Sequence, residues 1–230
     1  MKAALLAMVV CLTSMADPNG AFAAYGSRIS QVYAGGGGDN APGATYRFDY
    51  VEVFNSHIGP IDIGGWTLEY MEPGGNWGST PSSIFVFPEG AVLGACSYLL
   101  IRMGPGGDHG TGVLPTADFV GSLSIQVAGG TIGLFTTVNM DTPCGAEIGL
   151  RDKVACGAGA CAEAAPIGPL AGTTGAVRKR DGNMDTDNNQ NDFAILEQPV
   201  PHSGTGPGTA YCFATPTSRG TWGSVKILYR

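Results

Sequence analysis

The stretch that decides the fold reads Trp66-Thr67-Leu68-Glu69-Tyr70-Met71. Successive side chains of a β-strand point to opposite faces, so Trp66, Leu68 and Tyr70 share one face and the polar residues between them share the other. This alternation of apolar and polar residues is typical of a half-buried strand. We therefore predict a strand here, with Trp66 in the hydrophobic core.

Six other short runs have the composition of strands and are bounded by Gly, Pro, Asn or Ser; they cover residues 28–33, 48–55, 83–87, 97–103, 131–137 and 151–156. The run Tyr98-Leu99-Leu100-Ile101 is apolar on both faces, which favours a central strand, although a buried helical turn has the same composition. No segment between the runs has the length and period of a crossover helix. The sequence therefore predicts an all-β fold, a β-sandwich of two packed sheets with about seven to nine short strands.

The first residues are typical of an export signal. Lys2 is followed by an apolar run over residues 3–12 and then by Ala21-Phe22-Ala23, which has the small-x-small pattern of a cleavage site. A membrane span needs about 20 consecutive apolar residues, and no run in the chain is that long. We predict a cleaved signal peptide over residues 1–23, with a cut near Ala16 as the alternative. The protein is then secreted or held at the cell surface, with no integral membrane span.

The charge balance argues against a nucleic-acid partner. The chain has 12 Lys and Arg against 19 Asp and Glu, which gives a net charge of −7. A negative protein repels the phosphate backbone instead of releasing its counterions. The 37 glycines and 15 prolines suit short strands joined by many tight turns.

Five cysteines remain after Cys11 leaves with the predicted signal: Cys96, Cys144, Cys156, Cys161 and Cys212. In an oxidising compartment Cys156 and Cys161 could close a small loop, and Cys144 could pair with Cys96 or Cys212. A zinc site is the alternative. It lacks Cys-x-x-Cys pairs, and the three histidines lie far from the cysteines in sequence. The composition therefore favours disulfides over zinc.

The densest polar segment, residues 181–192, has Asp or Asn at loop positions 1, 3, 5, 7, 9 and 12: Asp181, Asn183, Asp185, Asp187, Asn189 and Asp192. Calcium takes several oxygen ligands from such a flexible loop. An EF-hand, however, has Gly at position 6 and Glu at position 12, where this chain has Thr186 and Asp192. The segment predicts either a calcium site or a run of Asx-turns, in which short side chains accept hydrogen bonds from nearby backbone N–H groups.

No pattern of a catalytic centre is present in the sequence. There is no Gly-x-Ser-x-Gly elbow, and His57, His109 and His202 are scattered without a metal-binding spacing. Glu52 and Glu69 could face one another across strands, but ordinary surface charge is the simpler interpretation. We therefore predict a protein that is not an enzyme, with no cofactor other than calcium.

Two groups of segments, one in each half of the chain, follow one another in a characteristic order. The first half has Ile29-Ser30-Gln31-Val32-Tyr33 with its Gly-rich loop, Asp49-Tyr50-Val51-Glu52-Val53-Phe54-Asn55, and Ile61-Asp62-Ile63-Gly64-Gly65-Trp66-Thr67-Leu68. The second half has residues 178–181, Asp185-Thr186-Asp187-Asn188-Asn189, Asp192-Phe193 and Pro199-Val200-Pro201. This order resembles that of the bacterial lamin-tail domain family. The resemblance covers about residues 28–202 and implies an immunoglobulin-like sandwich used for attachment, scaffolding or partner binding.

Two functions follow from these features. The first is a secreted or cell-surface interaction module, in which loops such as 35–44 and 104–112 bind a protein or polysaccharide of the cell envelope. The second is a cation-binding accessory domain of a secreted hydrolase or nuclease system. Residues 203–230 are predicted to be a linker and a C-terminal tail, which is either a final edge strand or a sorting and docking segment.

Overall fold

The computed structural model describes residues 26–36 and 43–205, so the predicted signal peptide and the tail from residue 206 lie outside the described residues. The strands are β1 (Ser27–Tyr33), β2 (Asp49–Asn55), β3 (Ile61–Asp62), β4 (Thr67–Met71), β5 (Ile84–Val86), β6 (Val92–Leu93), β7 (Tyr98–Met103), β8 (Phe119–Val120), β9 (Gly129–Phe135), β10 (Leu150–Gly157), β11 (Thr174–Arg178) and β12 (Phe193–Glu197). A one-turn helix, α1 (Asn189–Asp192), precedes β12, and a 3-10 helix (Pro81–Ser83) precedes β5.

The strands form two main sheets that pack face to face. The first sheet has the order β12-β11-β1-β2-β7-β8, the second has the order β10-β9-β4-β5, and β3 and β6 form a separate pair. Pairing is antiparallel throughout the two main sheets except between β7 and β8. The main core lies between the sheets, where apolar residues such as Val51 and Ile101 of the first sheet meet Leu68 and Leu134 of the second. The predicted β-sandwich is confirmed.

All seven predicted strands are confirmed within one or two residues of their predicted ends. Tyr98-Leu99-Leu100-Ile101 is a strand between β2 and β8, as predicted for a run that is apolar on both faces. The strands that the sequence analysis missed are β3, β6, β8, β11 and β12. Three of these have two residues, which is too short to show a period, and β11 contains a glycine that weakens the strand pattern.

The sequence predicts correctly which side chains of β4 share a face, but it predicts wrongly how deeply they are buried. Leu68 and Tyr70 lie in the core, whereas Trp66 is only partly buried at its edge. The polar Thr67 and Glu69 are fully buried, because the segment after β9 covers them: Thr67 Oγ1 donates to Thr137 O, and Glu69 Oε1 accepts from Asn139 N. Burial raises the pKa of the Glu69 carboxyl. A two-residue period gives the direction of each side chain but does not show which faces later loops will cover.

A buried ion pair joins the two sheets. Arg178 of β11 donates from Nη2 to Oδ2 of Asp152 in β10 at 2.6 Å, and both side chains are almost fully buried. The same Asp152 oxygen accepts the backbone N–H of Ile29, and Arg178 Nε donates to the Ile29 carbonyl oxygen. The guanidinium also lies 4.4 Å from the ring centre of Phe193. Arg178 and Asp152 therefore bind the backbone of β1 at the point where β1 has a bulge and its pairing with β11 ends.

The structure confirms a disulfide but corrects the predicted pairing. Cys144 bonds to Cys161, whereas Cys156 and Cys96 are buried free thiols, and Cys212 lies outside the described residues. Cys156 does not pair with Cys161, and Cys144 pairs with neither Cys96 nor Cys212. The reason is geometric: Cys156 lies within β10 and packs into the core between the sheets, while Cys161 packs with Trp77 on the outer face of the second sheet. Burial raises the pKa of the Cys156 thiol to about 12, which makes it a poor nucleophile.

Candidate functional site

The outer face of the first sheet is crossed by residues 198–204, which we call the strap. Its backbone bonds in turn to groups on successive parts of the sheet: Tyr46 Oη donates to Pro199 O, Gln31 Nε2 to Val200 O, and Gly204 N to Asp118 Oδ2. Asp118 immediately precedes β8. The strap therefore runs from the β12 edge of the sheet to the β8 edge. Pro199, Pro201 and Ser203 are buried and the residues between them are more exposed, as expected for an extended chain lying on a surface.

Glu52 of β2 is the main polar anchor of the strap. Its side chain is fully buried on the outer face of the sheet. Oε1 accepts a hydrogen bond from Ser30 Oγ at 2.6 Å, and Oε2 accepts one from Gln31 Nε2 at 3.2 Å and one from the backbone N–H of His202 at 2.5 Å. A buried carboxylate is tolerated when donors surround it, and here β1 and the strap supply those donors.

His202 adds a side-chain contact to the same carboxylate. Its Nδ1 lies 3.1 Å from Glu52 Oε2, and its ring stacks on Tyr98 with ring centres 4.4 Å apart. The hydrogen bond to Glu52 raises the pKa of His202, and burial of the ring opposes this change. The His202 side chain remains 41% exposed. His202 is thus a titratable group held at the surface by a buried acid.

A cleft of about 420 Å³ opens beside His202, and we call it the strap cleft. It is bounded by the strap, by β11 and β12, and by the turn after β11; its apolar lining includes Val177, Ala194, Leu196, Pro199 and Val200. Leu196 is 46% exposed and Val200 is 71% exposed. Lys179, Arg180 and Asp181 form a charged rim. An apolar floor with a charged rim is typical of a recognition surface.

The turn that closes the strap cleft has an unusual backbone. Arg180, Asp181 and Gly182 have φ values of 56°, 50° and 84°, so three successive residues are left-handed. This conformation costs about 1–2 kcal/mol for each residue that has a side chain. Tyr98 Oη donates to the Asp181 carbonyl oxygen at 3.0 Å and helps to hold the turn. Strained turns of this kind are often found at functional sites.

Ser30, Glu52 and His202 come together here, and sequence reasoning missed this group because the residues lie 22 and 150 positions apart. The arrangement is not that of a serine hydrolase. Ser30 Oγ donates a hydrogen bond to Glu52, and His202 faces the same carboxylate, so the acid stands between the serine and the histidine. In a catalytic triad the histidine stands in the middle and accepts the serine proton. The geometry positions the strap and does not activate Ser30.

The predicted calcium loop is organised around hydrogen bonds and two arginines. Asp185 lies 3.7 Å from Arg28 and 3.6 Å from Arg178. Asp192 accepts hydrogen bonds from the Thr186 N–H, the Thr186 hydroxyl and the Asn188 N–H. These capping bonds match the predicted Asx-type arrangement.

The remaining predicted ligands have other contacts. Asn189 Oδ1 accepts from Ala155 N, Asn183 accepts from Arg28, and the Asp181 and Asp187 side chains are exposed. In the described part of the chain, the group of three His, Cys, Asp or Glu side chains whose ligand atoms all lie within 4.8 Å of one another is Cys144, Glu147 and Cys161. The two sulfurs of that group are bonded to each other. Calcium binding by residues 181–192 stays a prediction.

Glu163 faces the same acidic loop. Its carboxyl accepts a hydrogen bond from Asn189 Nδ2 at 2.9 Å. Burial, together with the negative charges of Asp152, Asp185 and Asp187, raises the pKa of Glu163 to about 8, although Arg178 opposes this change. The raised pKa favours the protonated form of the Glu163 carboxyl in the folded protein.

The two predicted binding loops, and the two glutamates predicted as a possible pair, lie in different parts of the structure. The loop 104–112 is bonded to the segment before β2 through Gly107 N to Arg47 O and Gly112 N to Thr45 O. Within the loop 35–44, Gly36 N donates to Asp49 Oδ1, and residues 37–42 lie outside the described residues. Glu52 and Glu69 lie on the outer faces of opposite sheets, so they do not face each other. The prediction that they are ordinary surface charge was also wrong, because other segments of the chain cover both side chains and bury them fully.

Comparison with known proteins supports the fold alone. No protein-family model matches the sequence, and no curated protein is significantly similar to it. The fold is similar to the crystal structure of a DUF4876 family protein from Bacteroides thetaiotaomicron, with a TM-score of 0.50 and 13% sequence identity. The match covers 81% of this chain and 75% of the other. Among the described residues, none belongs to a helix that is long and apolar enough to cross a membrane.

Proposed function

We propose that this protein is a non-catalytic interaction module of the lamin-tail type, secreted or held at the cell surface, and that the strap cleft binds a protein or polysaccharide of the cell envelope. The proposal depends on one observation: the buried polar groups at this site have hydrogen-bond partners within the chain, whereas the apolar side chains next to them are exposed. Glu52 is surrounded by donors of its own chain, whereas Leu196 and Val200 face solvent beside it. Such a surface offers binding area without an activated group.

Three further features support the proposal. The Cys144–Cys161 disulfide is compatible with an oxidising, extracellular location. The first residues of the chain have the pattern of an export signal. The strap and the left-handed turn at residues 180–182 hold the strap cleft in one shape, and a preformed surface loses less conformational entropy on binding.

The test compares two exposed valine or isoleucine positions. Val200→Asp places a charge in the strap cleft, and Ile58→Asp places one at a position that is 72% exposed outside it. Full-length wild type and both variants are titrated onto cell-envelope proteins and onto an array of envelope polysaccharides. We expect saturable binding by wild type and Ile58→Asp, with at least tenfold weaker binding by Val200→Asp. Equal binding by all three proteins, or no saturable binding by wild type, would overturn the proposal.

A further inference from the structure

A second cleft, of about 440 Å³, opens on the same outer face of the first sheet near the β8 edge. Ile101 and Met103 of β7 point into the core, so Arg102 between them points to the outer face, where it is the cross-strand neighbour of Val120. The cleft is lined by Arg47, Phe48, Arg102, residues 112–117 and Val120. We call it the arginine cleft.

Arg47 and Arg102 supply positive charge that no described residue neutralises. The guanidinium of Arg102 lies 4.2 Å from the ring centre of Phe48, and its buried Nε has no hydrogen-bond partner. Arg47 Nε donates to the Gly107 carbonyl oxygen. Every ion pair of the described residues lies elsewhere, on Arg28, Lys153, Arg178 or His202. In a protein of net charge −7, two unpaired guanidinium groups at one cleft select for an anionic partner.

The rest of the arginine cleft is apolar and exposed. Val113 is 90% exposed and Val120 is 59% exposed, and Leu114 and Pro115 lie next to them. Apolar side chains beside two guanidinium groups match a partner that carries a carboxylate next to apolar groups.

The position of β8 indicates the kind of chain that fits. β8 ends the first sheet, and on its far side no strand of the described residues pairs with it. An edge strand presents backbone N–H and C=O groups that an extended peptide can pair with, as in β-strand addition. A polysaccharide has no backbone amides to continue this pattern, so the edge favours a peptide.

From these contacts we infer that the arginine cleft binds an extended peptide segment in which Asp or Glu is flanked by β-branched residues. The peptide carboxylate binds Arg102 and Arg47, and its backbone lies along β8. The strap cleft plays no part in this binding, so failure of one site leaves the other unaffected.

The test uses the full chain and a pair of short, capped, fluorescein-labelled peptides of alternating valine and threonine. One peptide has a central glutamate, and the other has a central glutamine. Binding is measured by fluorescence anisotropy at several salt concentrations. We expect saturable binding of the glutamate peptide, about tenfold weaker binding of the glutamine peptide, and loss of this difference at high salt because charge contacts are screened.

Three variants locate the binding. Arg102→Gln should weaken the glutamate peptide about tenfold, and Arg47→Gln should weaken it less because Arg47 is more exposed. Arg151→Gln is the matched control, since Arg151 also stacks on an aromatic ring, Trp66, and also has a buried, unpartnered Nε, but it lines a different cleft. If Arg102→Gln lowers the melting temperature, Arg102→Lys, which keeps the charge, is the variant measured in its place.

Four results would overturn the inference. The two peptides could bind equally, or Arg151→Gln could weaken binding as much as Arg102→Gln. An acidic oligosaccharide, oligogalacturonate, could bind Arg102 more tightly than the glutamate peptide. A chain shortened after Thr205 could bind the peptide much more tightly than the full chain, which would show that the occupant is the chain's own C-terminal segment.

Discussion

Asp152 and Glu52 are both buried carboxylates that bind distant parts of the chain, but they differ in their surroundings. Asp152 bonds to Arg178, and both side chains are almost fully removed from water. Glu52 bonds to His202, whose side chain is 41% exposed, and to the backbone of a strap at the surface. The first contact lies between two sheets, and the second lies on the outside of one sheet.

This difference indicates which of the two contacts can break without unfolding the protein. If the Asp152 contact breaks, the buried Arg178 guanidinium keeps only the longer contacts to Asp185 and Asp192, at 3.6 and 3.9 Å, and the loss of its closest counter-charge inside the protein is strongly unfavourable. If the Glu52 contact breaks, the strap can move away and water can reach the freed donors. We therefore expect Asp152 to govern global stability and Glu52 to govern the shape of the strap cleft.

The largest effect is expected for Asp152→Ala. The substitution leaves Arg178 buried without its closest partner, and we expect a loss of about 3–5 kcal/mol of unfolding free energy. Urea denaturation followed by circular dichroism measures it. Asp108→Ala is the control, because Asp108 is exposed on a loop and should change stability by less than about 0.5 kcal/mol. Similar values for both variants would show that the ion pair contributes little.

Glu52→Ala should cost less, about 2 kcal/mol, because the strap donors can rehydrate. Hydrogen exchange distinguishes local from global effects. The His202 amide should exchange much faster in the variant, while the amides of β9 and β10 should stay protected. Equal acceleration in both regions would mean that the strap contact is as central to the fold as the ion pair.

The pH dependence of the unfolding free energy distinguishes Glu163 from the acidic residues around it. Its pKa is raised to about 8 in the folded protein by burial, so the folded state binds more protons than the unfolded state between about pH 4.5 and pH 8. Stability should therefore fall as the pH rises through this range. The full shift corresponds to about 5 kcal/mol, and we expect about 1–2 kcal/mol because water reaches this partly exposed carboxyl and screens its charge. Glu163→Gln should remove most of this decline in melting-temperature measurements. A variant with the pH profile of wild type would assign the decline to other groups.

The smallest effect is expected for His202→Gln, at about 0.5 kcal/mol, because a half-exposed ion pair is screened by water. The hydrogen bond to Glu52 raises the pKa of His202, so its stabilisation is complete below about pH 6.5 and is lost as the pH rises through the raised value. Proton NMR of the imidazole gives this pKa directly. A His202 pKa at or below the value in unfolded peptides would contradict the observed contact.

Much more of the fold than of the candidate site could be predicted from the sequence. The strands β2, β4 and β7 follow from apolar residues at every second position or in short continuous runs, which is information held within a few neighbouring residues. Trp66 was placed too deep and Glu69 too shallow, because their burial depends on loops elsewhere in the chain. The cysteine pairing was wrong for the same reason, since spacing along the chain does not show which side of a sheet each cysteine faces.

The amino-acid sequence by itself determined the all-β class, the positions of seven of the strands, the negative charge and the polar character of residues 181–192. Those properties depend on composition and on the two-residue repeat of an extended backbone, both of which are local. Tertiary structure alone decided that Glu52 meets His202 across 150 positions and that Asp152 meets Arg178 across 26. Strand order and the path of the strap bring these residues together, and neither leaves a periodic pattern in the chain. The two clefts on the outer face of the first sheet are lined by residues from distant parts of the chain, which only the tertiary structure brings together.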